Sequence, residues 1–215
     1  MKRPDIGYFT LGMVATNSFY IRGVDEKGND TKELIFIDPA DRGEYLVQKC
    51  TEKGYDIKAI LLTHGHFDHI WGVKDMAEKS GAKVYAAETE KRLLSDPEAN
   101  LSADYGRPCT ITPDVWVRDG ETLNLCGWNV KCIFTPGHTE GSVCYYFPEG
   151  GVLMAGDTLF EESVGRSDFP TGSSSTLIRS IREKLFTLPE DTIVYPGHGD
   201  LTTIEHEKKY NPFAC

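Results

Sequence analysis

Ala59-Ile60-Leu61-Leu62-Thr63-His64-Gly65-His66-Phe67-Asp68-His69 is an apolar run that ends in four metal-ligand side chains within six residues. Ala59 to Thr63 reads as a short buried strand that delivers a His-x-His-x-Asp-His motif at its C-terminal end. Imidazole is the commonest protein ligand for metals such as zinc, so a metal site is the first hypothesis. Three further stretches repeat the placement. They are Cys132-Ile133-Phe134-Thr135 before Pro136-Gly137-His138, Leu153-Met154-Ala155 before Gly156-Asp157, and Ile193-Val194-Tyr195 before Pro196-Gly197-His198. Five of the six histidines fall in these motifs. His206, amid Glu205, Glu207, Lys208 and Lys209, reads as a solvated side chain.

Outward from that stretch, strand-like and helix-like segments alternate with short turns. Asn17 to Arg22 and Glu33 to Asp38 read as strands, and Pro39 ends the second. Asp41 is placed to cap a helix running to about Lys53. Phe67 to about Lys79 carries Ile70, Val73, Met76 and Ala77 on one face and reads as one helix. Lys83 to Ala86 reads as a strand, Glu88 to Leu94 as a short helix, and Ser95 to Pro113 as a polar connector. In the second half, Val115 to Val117, Thr122 to Leu125, Asn129 to Phe134, Ser142 to Phe147, Val152 to Ala155 and Thr192 to Tyr195 read as strands. Leu177 to Leu185 reads as a helix capped by one of Ser173 to Ser175, and a short charged helix follows near Glu205. Both halves supply ligand-bearing loops at strand ends. That pattern points to an α/β fold with two sheets face to face and helices outside. Loops on a rigid sheet are also what a preorganised metal site needs.

The 215 residues, 40% of them hydrophobic, suit one domain of moderate size or two tightly fused halves. Against 33 acidic residues stand 23 lysines and arginines, a formal charge of −10. Such a surface repels nucleic acid and anionic membrane, which argues against both as partners. A locally positive site could still draw an anionic small molecule. Met1-Lys2-Arg3-Pro4-Asp5 leads into a mixed segment with no signal peptide. No apolar run approaches the ~18 residues of a membrane helix. Cys50, Cys109, Cys126, Cys132, Cys144 and Cys215 form no Cys-x-x-Cys pair and read as reduced thiols of a cytoplasmic protein.

His64, His66, Asp68, His69, His138, Asp157 and His198 are too many ligands for one tetrahedral ion and suit two. The expected partition gives His64, His66 and His138 one ion, and Asp68, His69 and His198 the other. Asp157 and a hydroxide would bridge them. Metal binding lowers a water's pKa to roughly 7, so hydroxide is present at neutral pH and no serine or cysteine nucleophile is required. Taken singly, His138 and His198 could be turn residues after Pro-Gly, Asp68 a helix N-cap and Asp157 a turn residue. The four-ligand motif has few such alternatives, and with it the others read as a set.

His64-Gly65-His66-Phe67-Asp68-His69, Gly137-His138-Thr139, Gly156-Asp157-Thr158 and Gly197-His198-Gly199, in this order, resemble the metallo-β-lactamase-fold hydrolases. Leu159-Phe160 to Gly165-Arg166-Ser167-Asp168-Phe169-Pro170 and the ending Thr202-Thr203-Ile204-Glu205 to Asn211-Pro212-Phe213 are closest to the small glyoxalase II-like subgroup. The resemblance implies a four-layer αββα sandwich with the metals at one edge, formed by a single domain over residues 1–215. It also implies that the C-terminal glutathione-binding helical domain of full-length glyoxalase II is missing. The best-known metallo-β-lactamases place a Cys in the second site, where this chain has His69, with Asp157 as the bridge, which argues against antibiotic hydrolysis. Asp38 matches the family's aspartate that orients a ligand histidine by accepting its free N–H. Arg166 and Asp168 are read as bracing their loop, with substrate contact as the alternative.

The function expected is hydrolysis of thioesters such as an S-2-hydroxyacyl glutathione, by attack of the bridging hydroxide. Asp68 and Asp157 would serve catalysis as well as binding. The substrate is a small, anionic acyl thioester. The cofactor is two divalent ions, zinc first, with iron or manganese also suited to a His- and Asp-rich site. Persulfide dioxygenase chemistry is the alternative, with one iron on His64, His138 and Asp157. Val164 stands where those enzymes usually carry a Cys before Gly-Arg. Lactonase and phosphodiesterase activities, or a metal-bearing protein without catalysis, complete the range.

Overall fold

In the computed structural model, which describes residues 3–214, neighbouring residues of one strand face two different cores. Ile35 and Ile37 belong to one and Leu34 and Phe36 to another, the period-two alternation of a strand buried on both faces. Two six-stranded sheets result. The first runs in order β1 (Ile6–Leu11), β2 (Thr16–Val24), β3 (Asp30–Ile37), β4 (Asp56–Leu61), β5 (Lys83–Ala87) and β6 (Val115–Val117). Its first three strands pair antiparallel, and β3 through β6 are parallel. The second runs β7 (Thr122–Leu125), β8 (Trp128–Phe134), β9 (Val143–Phe147), β10 (Val152–Gly156), and then β13 (Ile193–Pro196) and β14 (Thr202–Thr203). Only the β10–β13 pairing is parallel there. Between β10 and β13, β11 (Leu159–Phe160) and β12 (Ser163–Val164) make a small ribbon.

Three apolar clusters account for four layers. Phe19, Ile21, Ile37 and Leu61 of the first sheet meet Val130, Cys132, Val143, Tyr145 and Met154 of the second. Behind the first sheet, Phe36 and Ile60 pack on Leu46 and Cys50 of α1 (Gly43–Glu52), and on Ile70 of α2 (Phe67–Ile70) and Met76 of α3 (Val73–Ser80). Behind the second, Tyr146, Leu153 and Val194 pack on Leu177 and Ile181 of α5 (Ser174–Glu183) and Ile204 of α6 (Ile204–Tyr210). A shorter helix, α4 (Lys91–Ser95), follows a single 3-10 turn at Glu88–Glu90. This is the αββα sandwich of the metallo-β-lactamase fold. Tyr145 is fully buried between the sheets, and its hydroxyl donates to Leu62 O at 2.9 Å. That bond offsets the cost of desolvating the hydroxyl.

The structure departs from the expected helices at two places. The single helix expected over Phe67 to Lys79 is broken into α2 and α3, because Gly72 N turns aside to donate to Pro39 O at 2.8 Å. Asp41 does not cap α1; Arg42 occupies that position with φ 51°, and Asp41 Oδ1 pairs with Arg107 Nη1 at 2.7 Å. The segment from Ser95 to Pro113 is a connector with no strand beyond the end of α4, as read, and its middle is anchored while Asp104 to Pro108 stay exposed. Asn100 and Ser102 are buried, and Asn100 Nδ2 donates to Leu93 O and Cys109 O. Leu101 packs on Phe67 and Trp71. The reading also missed β1, an edge strand with half-exposed residues, and the two-residue strands β11, β12 and β14.

Cys50, Cys109, Cys126, Cys132 and Cys144 are free thiols, while Cys215, Met1 and Lys2 lie outside the described residues. Among the described residues no helix is long and apolar enough to cross a membrane.

Candidate metal centre

All four ligand-bearing loops leave C-terminal strand ends at one edge of the sandwich. β4 leads through Thr63 into His64 and His66 and on to Asp68 and His69 in α2. β8 leads to His138, β10 to Asp157, and β13 to His198. Two backbone bonds join the sheets at this rim: Val143 N donates to Thr63 O (2.8 Å) and Asn17 N to Gly197 O (2.7 Å). Asp68 is not an N-cap, because His66 holds that position of α2 and Asp68 sits in the first turn.

The structure brings together all seven side chains that the sequence singled out. His138 Nε2 lies 3.2 Å from His64 Nε2 and 2.9 Å from His66 Nδ1. His198 Nε2 is 3.2 Å from Asp68 Oδ2, and His69 Nε2 is 3.5 Å from that same oxygen. Asp157 reaches both groups, with Oδ1 3.3 Å from His69 Nε2 and Oδ2 3.7 Å from His138 Nε2 and 3.5 Å from His198 Nε2. Donor atoms around a tetrahedral zinc, with bonds of about 2.0–2.1 Å, stand roughly 3.3 Å apart, so these spacings fit shared ions. Two further observations agree. His69 Nε2 and Asp157 Oδ1 are buried with no hydrogen-bond partner, which is costly unless something else satisfies them. A Cβ on Gly197 would stand 2.2 Å from Asp157 Oδ1, so only glycine lets the His198 loop close on the cluster. His64 with His66 and His138, and Asp68 with His69 and His198, could each hold an ion, and so could His64 with His69 and Asp157.

Hydrogen bonds set which ring nitrogen is bare. Asp38 accepts from His69 Nδ1 at 2.8 Å, which turns Nε2 toward the cluster. Asp38 Oδ2 also accepts from Thr63 Oγ1 at 2.6 Å. With that hydroxyl proton committed, His64 Nδ1 donates to Thr63 Oγ1 at 3.1 Å and Nε2 is left bare. His138 Nδ1 donates to Arg166 O at 2.6 Å. Asp68 Oδ2 accepts from Thr16 Oγ1 at 2.8 Å, and Asn17 Nδ2 donates to Pro196 O and Gly199 O in the His198 loop. Asp38 thus stands where the reading put it. Thr16, Asn17 and the Arg166 carbonyl were missed; the one available signal was a polar Thr-Asn pair opening an otherwise apolar strand.

The electrostatics divide the cluster. Burial, aided by neighbouring imidazoles, holds His64 well below the usual range and His66 at about 3; burial also lowers His138. These rings are neutral. For His69, burial is outweighed by Asp68, Asp157 and Asp38, and its pKa is raised well above the ordinary value. His198 is raised to about 9, as bonds to Asp157 and Asp68 overcome burial. Asp68 and Asp157 lie below the usual carboxylate range; burial would raise them, but His69 and His198 prevail.

Above the cluster opens a cleft of about 240 Å³. Val14, Phe67, Leu101, Tyr105, Phe160 and Phe169 give it apolar walls, and His66, Asp68, His138, Asp157 and His198 its floor. Arg166 is the one arginine or lysine among the lining residues. Its guanidinium lies 4.1 Å from the centre of the Phe169 ring and binds both oxygens of Asp168, at 3.0 and 2.8 Å. His206 is elsewhere, on the surface, 3.0 Å from Glu162 Oε1.

The profile of a family described as the metallo-beta-lactamase superfamily matches residues 11–198. The hydroxyacylglutathione hydrolase GloC of Haemophilus influenzae is 37% identical over 188 residues, 86% of this chain and 89% of that protein. Among solved structures, the BLEG-1 B3 metallo-beta-lactamase superposes with a TM-score of 0.90 at 38% identity, covering 98% of this chain and 99% of its own. TTHA1623, in a di-iron-bound form, superposes with a TM-score of 0.82 at 34% identity, covering 96% and 99%.

Proposed function

This chain belongs to the metallo-beta-lactamase superfamily, and from that membership we propose that it is a dinuclear metal-dependent hydrolase of thioesters such as S-2-hydroxyacyl glutathione. The observation that carries the proposal is the convergence of seven donor side chains, with buried His69 Nε2 and Asp157 Oδ1 lacking any other partner. His64, His66 and His138 would hold one ion, Asp68, His69 and His198 the other, and Asp157 would reach both. Zinc leads as the metal, and the di-iron form of TTHA1623 supports iron as well. When bound, the ions supply hydroxide at neutral pH and draw charge from the acyl carbonyl.

The remaining work falls to the chain's own residues. Asp38, Thr63 and the Arg166 carbonyl keep protons on the outward nitrogens of His69, His64 and His138, so that the bare nitrogens face inward. Asp68 lines the cleft with Oδ2 held by Thr16, which leaves Oδ1 to pass the proton that the hydroxide brings on to the departing thiolate, leaving carboxylate and thiol. The apolar walls exclude bulk water from the acyl group and strengthen these interactions. The 37% identity to GloC supports the thioester. The thiols at Cys50, Cys109, Cys126, Cys132 and Cys144 are unbridged, which supports a cytoplasmic enzyme.

The experiment is hydrolysis of S-2-hydroxyacyl glutathione, followed by loss of thioester absorbance, with metal-loaded protein beside Asp157→Ala. Turnover that vanishes in the variant supports the proposal; no turnover with metal bound sinks the glutathione thioester. A β-lactam belongs in the same panel, since BLEG-1 is named a B3 metallo-beta-lactamase and His69 argues only against the class that uses a Cys. The second reading, a mononuclear iron persulfide dioxygenase, rests on the closeness of His64, His138 and Asp157. Oxygen uptake with glutathione persulfide, and one iron per chain, would favour it instead.

A further inference from the structure

Two loops carry His64, His66 and His138, and one side chain outside every ligand motif touches both. Glu90 closes the 3-10 turn after β5 and is 1% exposed. Its Oε1 accepts from Gly65 N at 2.8 Å, the amide between His64 and His66. Its Oε2 accepts from Thr139 Oγ1 at 3.1 Å, next to His138, and the Gly141 amide donates to the same carboxylate. Thr139 Oγ1 is itself 2.7 Å from Ser142 Oγ, which stiffens that loop. The packing is tailored to this contact. A Cβ on Gly141 would stand 2.3 Å from Glu90 Oε2 and 2.4 Å from Glu90 N, so only glycine lets the His138 loop rest on the acid. A Cβ on Gly65 would lie 3.3 Å from Oε1.

A fully buried carboxylate is expensive, and the bonds that satisfy this one come from neutral donors. Every one of those donors belongs to a loop that carries a ligand. Building on the metal-site reading above, we propose that Glu90 is a positioning residue for the ion held by His64, His66 and His138. It fixes the spacing of the two loops, so that His138 Nε2 meets His64 Nε2 and His66 Nδ1 at coordination distance. The other trio has different supports, Thr16 for Asp68 and Asn17 for the His198 loop. Loss of Glu90 therefore loosens one ion and leaves the other.

The test is release of Co(II) from the doubly loaded protein into a chelator, followed by stopped-flow absorbance. Thr16→Val marks the phase that belongs to Asp68, His69 and His198. Glu90→Gln, which keeps one acceptor and loses the other, should accelerate the opposite phase by about ten- to a hundredfold, the usual effect of removing a ligand's outer partner. Glu90→Ala should exceed it. Should the Glu90 variants not fold, Thr139→Val removes one donor and should accelerate the same phase less. Release within about twofold of wild type, against that ten- to hundredfold scale, overturns the proposal. So does equal acceleration of both phases, which marks a merely structural role. A wild type that binds a single ion breaks the dinuclear reading instead. The proposal is then judged on that one phase, since His64 and His138 belong to the mononuclear set too.

Discussion

The two halves of the metal cluster use similar side chains in opposite states. His64, His66 and His138 are 2–3% exposed and neutral, their outward protons parked on Thr63 or the Arg166 carbonyl where partners exist. Asp68, His69 and His198 form a proton-loaded network in which carboxylates hold the imidazoles charged, and the His198 side chain is 27% exposed. The first half is a preformed receptor for a cation. The second must give up protons to become one. Where burial outweighs the pull of Asp157, as at His64, His66 and His138, the first state results; where Asp68, Asp157 and Asp38 outweigh burial, as at His69, the second does.

The strongest way to break this contrast is to remove the residue both halves share. Asp157→Ala should cut thioester turnover by roughly a thousandfold or more, since charge stabilisation by bound metal is worth several kcal/mol. Steady-state rates at saturating metal would check it.

Acidity should separate the halves next. In the metal-free protein His198 holds its proton below about 9, so affinity at that half falls as pH drops. The fall should be about tenfold per pH unit for each proton displaced. The first half, with His66 at about 3, should show no such slope near neutrality. Calorimetric metal titrations in buffers of different ionisation heat would count the protons released; equal release for both ions would refute the contrast.

Asp38→Asn should blur the difference. Asp38 fixes His69 directly and His64 through Thr63, so both ions should weaken, by about ten- to a hundredfold, with the larger loss at His69. Competition with a chromogenic chelator measures this.

Arg166→Ala should matter least to the cluster. His138 is held by the Arg166 backbone carbonyl, which survives the change, and the exposed pair with Asp168 is worth about 0–1 kcal/mol. Thermal unfolding and metal content should barely move. A rise in KM alone would show that the guanidinium touches substrate rather than only bracing its loop.

The ligands could be read from sequence because the strand-end motif puts four of them within six residues, and Asp38 because Phe36-Ile37-Asp38-Pro39 resembles the family's histidine-orienting aspartate. The two-sheet architecture could be read because β3, β4 and β8 to β10 are unbroken apolar or alternating runs. Glu90 could not. It looks like one of the two acids of Glu88-Thr89-Glu90, and its partners lie 25 and 49 positions away. Thr16, 52 residues from Asp68, is marked only by the polar pair that opens β2, which does not point to its partner. The break between α2 and α3 depends on a bond to Pro39 that no periodicity encodes. The segment after α4 reads as a polar connector, and the Asn100 amide that anchors its buried middle follows no repeating pattern.

The backbone bonds from Val143 to Thr63 and from Asn17 to Gly197 cross from one sheet to the other beside the ligands. They act as rivets at the one edge where tolerance is tightest. Any slip between the sheets, whatever its origin in the core, is opposed at the cluster before it can pull His64 away from His138. Of the helices on the outer faces only α2 carries ligands, so sequence drift on the exposed sides of α1 and α6 can accumulate without retuning the centre.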